Sequence, residues 1–155
     1  MKALLTAVLF CAALALAQST GAKDSPVPHR ASGTFDVKVA PLEPYVKGDS
    51  LFGRFSLDKQ YHGDLEGSSQ GEMLTAGKPP TAGAVAMEKV TGKLNGRSGT
   101  FILQHTGTME QGKTSNWSIA VAPGSGTGEL AGISGKMEII IENGKHSYVF
   151  NYTLP

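Results

Sequence analysis

The clearest structural signal in the chain is the segment Lys145–Leu154, KHSYVFNYTL. Large side chains occupy every second position of this segment, with smaller or more polar ones between them: His146, Tyr148, Phe150, Tyr152 and Leu154. Successive side chains of an extended backbone point to opposite faces. This period of two therefore indicates a strand with one buried face.

The same alternation recurs along the chain. It appears first at Phe35, Val37 and Val39, and it returns in two later segments, 117–121 and 137–141. Other strand candidates are 51–61, 65–74, 84–94, 99–108 and 126–133. Twenty glycines punctuate these runs, and no stretch shows a convincing helical stripe. Many short strands with glycine-rich turns predict an all-β domain, either a sandwich or a barrel.

The amino terminus has the pattern of a signal peptide. Lys2 supplies a positive charge, an apolar run of about 15 residues follows, and Ala15-Leu16-Ala17 provides a small-x-small cleavage signal. The run is shorter than the roughly 20 residues that a membrane-spanning helix needs. We therefore expect residues 1–17 to be cleaved, with Ala22 as a second possible site. The protein would then be periplasmic or secreted, with no membrane anchor after cleavage.

Cleavage after Ala17 would remove the first 17 of 155 residues and leave 138, which suits one domain. The only cysteine, Cys11, would be lost, and 13 basic residues would balance 13 acidic ones. Neither sign forms a long block, which argues against a nucleic-acid partner or an anionic-membrane patch. Residues 18–31 are polar and proline-containing, so we expect a disordered leader there and a folded domain at 32–155.

Two short motifs lack the context that their chemistry requires. The segment Gly107–Thr114, GTMEQGKT, matches the phosphate-binding P-loop, and Gly67–Gly71, GSSQG, matches the nucleophile elbow. Both motifs need a following helix, but strand alternation follows the first and no helical pattern follows the second. We therefore expect no nucleotide. No metal or other cofactor is expected either, because the histidines lack ligand spacing and are interpreted as strand-surface or rim residues.

Glu88 is the most informative polar residue because its same-face neighbours, Ala86 and Val90, are apolar. Lys89 lies on the opposite face, and its strongly hydrated charge favours solvent. This places Glu88 inside a barrel, where the carboxylate needs a polar partner. Our candidate ligand-binding residues in the lumen are Glu88, Glu72, Gln104, Tyr61 and Tyr148. The alternative, that such strand charges form a solvated outer face, stays open for most of them.

Several segments together resemble one bacterial family of small domains of unassigned function: Leu57–Gly67, Gly71–Leu74, Gly96–Thr108, Gly124–Gly132 and His146–Pro155. The resemblance spans about Ala31 to Pro155. That family is grouped with the allene oxide cyclase-like barrels, so the resemblance implies a single eight-stranded antiparallel β-barrel with a lumen. It brings no catalytic residues to this chain.

Three functions remain open. The lumen could bind an apolar or amphipathic small molecule without chemistry, or it could serve a cyclase or isomerase. The barrel could instead have a filled core and act as an envelope or protein-interaction module. A cavity of roughly 300 Å³ or more with converging polar groups would favour the first two. The sequence does not specify the ligand or the oligomeric state.

The signal-peptide interpretation predicts that the exported protein begins at Gln18. N-terminal sequencing of protein recovered from outside the cytoplasm measures this directly. A product that still begins at Met1, in the soluble cytoplasmic fraction, would contradict the prediction.

Overall fold

The computed structural model describes residues 27–111 and 113–155. Eight strands form a closed antiparallel barrel in which each strand pairs with its neighbours in sequence and β8 pairs with β1. The strands are β1 (Val27–Pro41), β2 (Phe52–Gly63), β3 (Leu65–Ala76), β4 (Ala82–Leu94), β5 (Arg97–Glu110), β6 (Lys113–Val121), β7 (Ser134–Glu142) and β8 (Lys145–Leu154). The predicted all-β, eight-stranded barrel is confirmed.

The first strand begins earlier than the sequence pattern indicates. Residues 27–31 were expected to belong to a disordered leader, but they pair with the end of β8, from Val27 opposite Leu154 to Ala31 opposite Phe150. The prolines at 26 and 28 obscure this strand because proline disfavours a strand interior. The predicted signal peptide and the rest of the leader lie outside the described residues.

Two hairpins have the turn chemistry that a tight antiparallel connection requires. Asn95-Gly96 joins β4 to β5 and Asn143-Gly144 joins β7 to β8, with positive φ at all four residues. Asparagine followed by glycine is the preferred pair for such turns. No helix among the described residues is long and apolar enough to cross a membrane.

The interior of the barrel is filled at one end. We call this the packed end; it carries the β2–β3 and β4–β5 hairpins, and its core includes Tyr61, Leu65, Leu94, Phe101 and Phe150. A short 3₁₀ turn, Gly128–Leu130, contributes the fully buried Leu130 to the same core. The opposite end carries the β1–β2 loop and the Asn143-Gly144 turn, and we call it the open end.

The two short motifs lie in strands. Gly107–Thr114 forms the end of β5, the turn at Gln111 and the start of β6, apart from Gly112, which is not described. Gly67–Gly71 lies within β3, and its central Ser69 is buried. Neither segment leads into a helix, which agrees with the predicted strand context.

Candidate functional site

A buried carboxylate, Glu88, lies at the centre of a polar cluster inside the barrel. It is 1 % exposed and accepts hydrogen bonds from four side chains on the neighbouring strands. The donors are Lys59 Nζ at 2.8 Å, Ser69 Oγ at 2.9 Å, His105 Nε2 at 3.0 Å and the Tyr61 hydroxyl at 3.2 Å. We refer to these five residues as the Glu88 cluster.

The alternation of β4 places Glu88 inside. Ala86, Glu88 and Val90 are buried, while Lys89 is exposed. The predicted inward orientation of Glu88 is therefore confirmed, and its role in binding stays a prediction. Gly71 faces Glu88 on β3, where a Cβ atom would collide with the backbone of β4. The absence of a side chain at Gly71 lets the two strands approach closely beside the carboxylate.

Sequence reasoning missed Lys59. The side chain is 5 % exposed, its ammonium group contacts Glu88, and it lies 5.0 Å from the centre of the Phe35 ring. Lysine is almost never buried without a partner, so a lysine in a strand is normally assigned to solvent. The alternation of β2 could have indicated that Lys59 is buried, because Lys59 lies on the same face of the strand as Leu57 and Tyr61, which are both buried.

His105 is also inside the barrel, and its interpretation as a surface or rim residue is wrong. It shares a face of β5 with Phe101 and Leu103 and is 5 % exposed. Its ring lies edge-on to Trp117, with the ring centres 6.2 Å apart. The spacing of the histidines along the sequence was the argument against a metal site. That spacing could not show that β4 brings the Glu88 carboxylate next to His105. Among the described residues, no group of three metal-ligating side chains is positioned to hold an ion.

Glu88 remains ionised despite its burial. Burial by itself would raise the pKa of the carboxyl group, but the hydrogen bond from His105 and the charge of Lys59 outweigh it and lower the pKa to about 2. Burial and the charge of Glu88 raise the pKa of the Tyr61 hydroxyl. An ionised carboxylate can only accept hydrogen bonds, so Tyr61 and His105 Nε2 must both donate.

This arrangement does not activate Ser69. The Ser69 hydroxyl donates to Glu88, as does His105, so the carboxylate lies between the two. In a nucleophile–base pair the histidine contacts the hydroxyl directly. A carboxylate with a pKa of about 2 is also a weak base at neutral pH. The geometry of the Glu88 cluster therefore fits binding and positioning better than proton transfer.

The other candidate residues are divided between the two faces. Tyr148 is buried in the lumen, but its hydroxyl accepts a hydrogen bond from the Leu65 backbone at 2.9 Å and does not join the Glu88 cluster. Glu72 lies on the outer face, where Arg54 donates two hydrogen bonds to it, at 2.7 and 2.8 Å. The prediction that Glu72 faces the lumen is wrong. Glu72 lies on the same face of β3 as Gln70, which is exposed.

Gln104 is not a partner of Glu88. It is exposed and lies opposite Met87 on β4, whereas Glu88 lies opposite Leu103. A difference of one residue in the pairing of two strands turns a side chain to the other face. The sequence suggested the Gln104 amide as the hydrogen-bond partner of Glu88 from β5. In the structure that partner is the imidazole of the next residue, His105.

A cavity of about 200 Å³ occupies the lumen between the Glu88 cluster and the open end. Its walls are mostly apolar and include Val37, Leu57, Met73, Trp117 and Ile139. Lys59 and His105 line the cavity, whereas Glu88 does not. Glu88 thus accepts hydrogen bonds from Lys59 and His105 without lining the cavity itself, and these two polar side chains border an apolar space.

The chain belongs to a bacterial family of proteins of unknown function, DUF3224, whose model matches residues 31–152. A crystal structure of a DUF3224 protein of unknown function from Shewanella oneidensis MR-1 is similar to it, with 45 % sequence identity and a TM-score of 0.75. The match covers 83 % of this chain and 99 % of that protein. No curated protein matches the chain. The predicted family membership is confirmed, and the grouping with allene oxide cyclase-like barrels stays an expectation.

The ion pair inside the barrel predicts strong coupling between Lys59 and Glu88. Lys59→Met or Glu88→Gln alone leaves one charge buried without its partner, which typically costs about 3–5 kcal/mol in the free energy of unfolding. The double variant removes both charges and should be clearly more stable than the sum of the single effects predicts. Urea unfolding of the four proteins in this double-mutant cycle measures the coupling.

The control is the pair Arg54→Met and Glu72→Gln, an ion pair between β2 and β3 on the outer face. Water screens this pair, so its two substitutions should be close to additive. Equal coupling in the two cycles would contradict the account of the Glu88 cluster.

Proposed function

We propose that the barrel binds one small amphipathic molecule in its lumen. The apolar part of the molecule occupies the open half of the barrel, and its polar end meets Lys59 and His105. The observation that carries the proposal is the position of these two side chains, which close one end of an otherwise mostly apolar cavity. Apolar cavities with a few fixed polar groups are the usual form of small-molecule sites.

Lys59 has the capacity to bind an acceptor atom. An ammonium group carries three donor hydrogens, and among the described residues Lys59 makes one side-chain hydrogen bond, to Glu88. Because Glu88 already balances the charge of Lys59, a neutral carbonyl or hydroxyl group would add no net charge to the buried site. A carboxylate would add a negative charge to the buried site, and its removal from water would cost free energy. The polar end of the ligand is therefore neutral in this proposal.

The volume of the cavity limits the part of the molecule that the lumen holds. The cavity measures about 200 Å³, which is below the 300 Å³ that we took as favouring a ligand. An engineered cavity of about 150 Å³ in another protein binds benzene. By that scale the lumen suits about eight non-hydrogen atoms, the size of one substituted ring.

The filled-core and isomerase alternatives are less well supported. The packed end is filled, but the open end is not, so a purely structural interior does not account for both halves. An isomerase would need a group that takes and returns a proton near neutral pH, and the low pKa of Glu88 argues against this carboxylate as that group. Export to the periplasm or beyond belongs to the same proposal and rests on residues 1–17.

Calorimetric titration with three probes of similar size tests the proposal: benzyl alcohol, toluene and benzoate. Benzyl alcohol should bind once per chain and more tightly than toluene, which lacks the polar end, or benzoate, which brings a charge. In the double variant Lys59→Met/Glu88→Gln the advantage of benzyl alcohol over toluene should fall roughly tenfold, the effect of losing a hydrogen bond from a charged group.

Arg54→Met is the control because it removes a cation from the outer face and leaves the lumen unchanged. Failure of all three probes to bind at millimolar concentration would contradict the proposal. Equal loss of benzyl alcohol binding in the control and the double variant would contradict the assignment of the polar end to Lys59.

A further inference from the structure

The barrel wall is incompletely paired between β6 and β7. Among the described residues these two strands share one pair, Ala120 opposite Lys136. By contrast, β7 and β8 pair continuously from Ser134 opposite Thr153 to Glu142 opposite Lys145. From Ala120 towards the open end, β6 therefore follows β5 and β7 follows β8, without a ladder between them. We call this boundary the β6–β7 seam.

The loop after β6 closes the barrel wall at the packed end of the seam. The chain leaves β6 and stays beside β5, where the backbone N–H of Ala122 donates to Ile102 and that of Thr127 donates to Thr100. These bonds occupy the edge of β5 near the packed end. The chain then turns and begins β7 on β8. The barrel is thus sealed near the packed end and loosely joined towards the open end.

A recess of about 630 Å³ lies along the seam. Its lining includes Thr114, Met137 and Glu138, together with three residues that also line the lumen cavity: Trp117, Ile139 and Ile141. These three shared residues make the lumen and the recess neighbours through the barrel wall. Two of them are unusually exposed for large apolar side chains, Trp117 at 43 % and Ile141 at 63 %.

Trp117 lies between the polar cluster and the recess. Its ring packs over Gly107, where a Cβ atom would collide with it, and the pairing of β5 with β6 is irregular at that point. The same ring is edge-on to His105. A molecule that runs from His105 towards the recess would therefore pass along the face or edge of Trp117.

We infer that the ligand is elongated, with a neutral polar head at Lys59 and His105 and an alkyl chain that leaves the lumen through the β6–β7 seam. This inference rests on the proposed function and extends it, because the lumen alone holds only about eight non-hydrogen atoms. The remainder of the chain lies in the recess against Trp117, Ile139 and Ile141. The alkyl chain would cover these apolar side chains, and the seam would let the ligand enter the lumen from the side of the barrel.

A series of straight-chain primary alcohols tests the inference by calorimetry. Burial of each methylene strengthens binding roughly fourfold. If the tail passes through the seam, the gain should continue from hexanol past octanol to decanol. In a lumen with no lateral exit, the gain should stop near eight carbons, and longer alcohols should bind no better or more weakly.

Closing the seam provides the second measurement. Ser118→Cys and Glu138→Cys place thiols on the two strands, two residues from the Ala120–Lys136 pair on each, and a short bifunctional thiol reagent joins them. Cys11→Ala removes the only native cysteine. The matched control is Thr34→Cys with Ser147→Cys, which face each other across the fully paired β1–β8 boundary.

The cross-linked seam should retain hexanol binding and lose at least tenfold in decanol binding, while the control cross-link changes neither. Decanol binding that is unaffected by the closed seam would overturn the inference, as would an affinity that levels off at eight carbons in the uncross-linked protein. In both cases hexanol would still bind and the proposed function would stand. Failure of hexanol itself to bind would instead contradict the proposed function.

Discussion

An ionised carboxylate inside an apolar barrel must be matched by donors, and this constraint organises the middle of the structure. Burial of an unpaired charge is costly enough that the group would otherwise be neutralised or expelled. Glu88 on β4 is matched by side chains from β2, β3 and β5. A slip of one residue in any of these strands would turn its donor outwards. The Glu88 cluster therefore fixes the relative register of four neighbouring strands.

The same constraint divides the lumen into two halves. On one side of the cluster, aromatic and aliphatic side chains fill the packed end and give the barrel its stability. On the other side, Lys59 and His105 face a cavity that the protein's own side chains leave partly open. Because Glu88 holds both side chains, their positions are set without a ligand. For the proposed ligand, such preorganisation would reduce the entropy lost on binding.

Period-two alternation predicted most of the strands, and the lysine at 89 was sufficient to orient Glu88. The strand candidate at 126–133 is wrong, because this segment is a loop that contains the 3₁₀ turn Gly128–Leu130. The closed eight-stranded topology came from the family resemblance. Lys59 and His105 could not be found by residue type, since both usually lie at the surface or in metal sites. Their roles depend on which residues face each other across β2, β4 and β5, and pairing between strands is invisible to a single-strand pattern. Glu72 and Gln104 were placed on the wrong face for another reason, since alternation within their own strands is what turns them outwards: Glu72 follows the exposed Gln70 by two residues, and Gln104 lies between the buried Leu103 and His105.

The central claim is that Glu88 is ionised inside the lumen, and its titration measures this most directly. Carbon-13 NMR of the side-chain carboxyl groups, with Glu88→Gln used to assign the signal, gives the pKa in the folded protein. The account predicts a carboxylate signal that persists through mildly acidic pH, with a midpoint at about 2 if the fold survives that far. A midpoint at or above the ordinary value of 4.5 would contradict it. Burial would then outweigh the hydrogen bond from His105 and the charge of Lys59, contrary to the account of the Glu88 cluster.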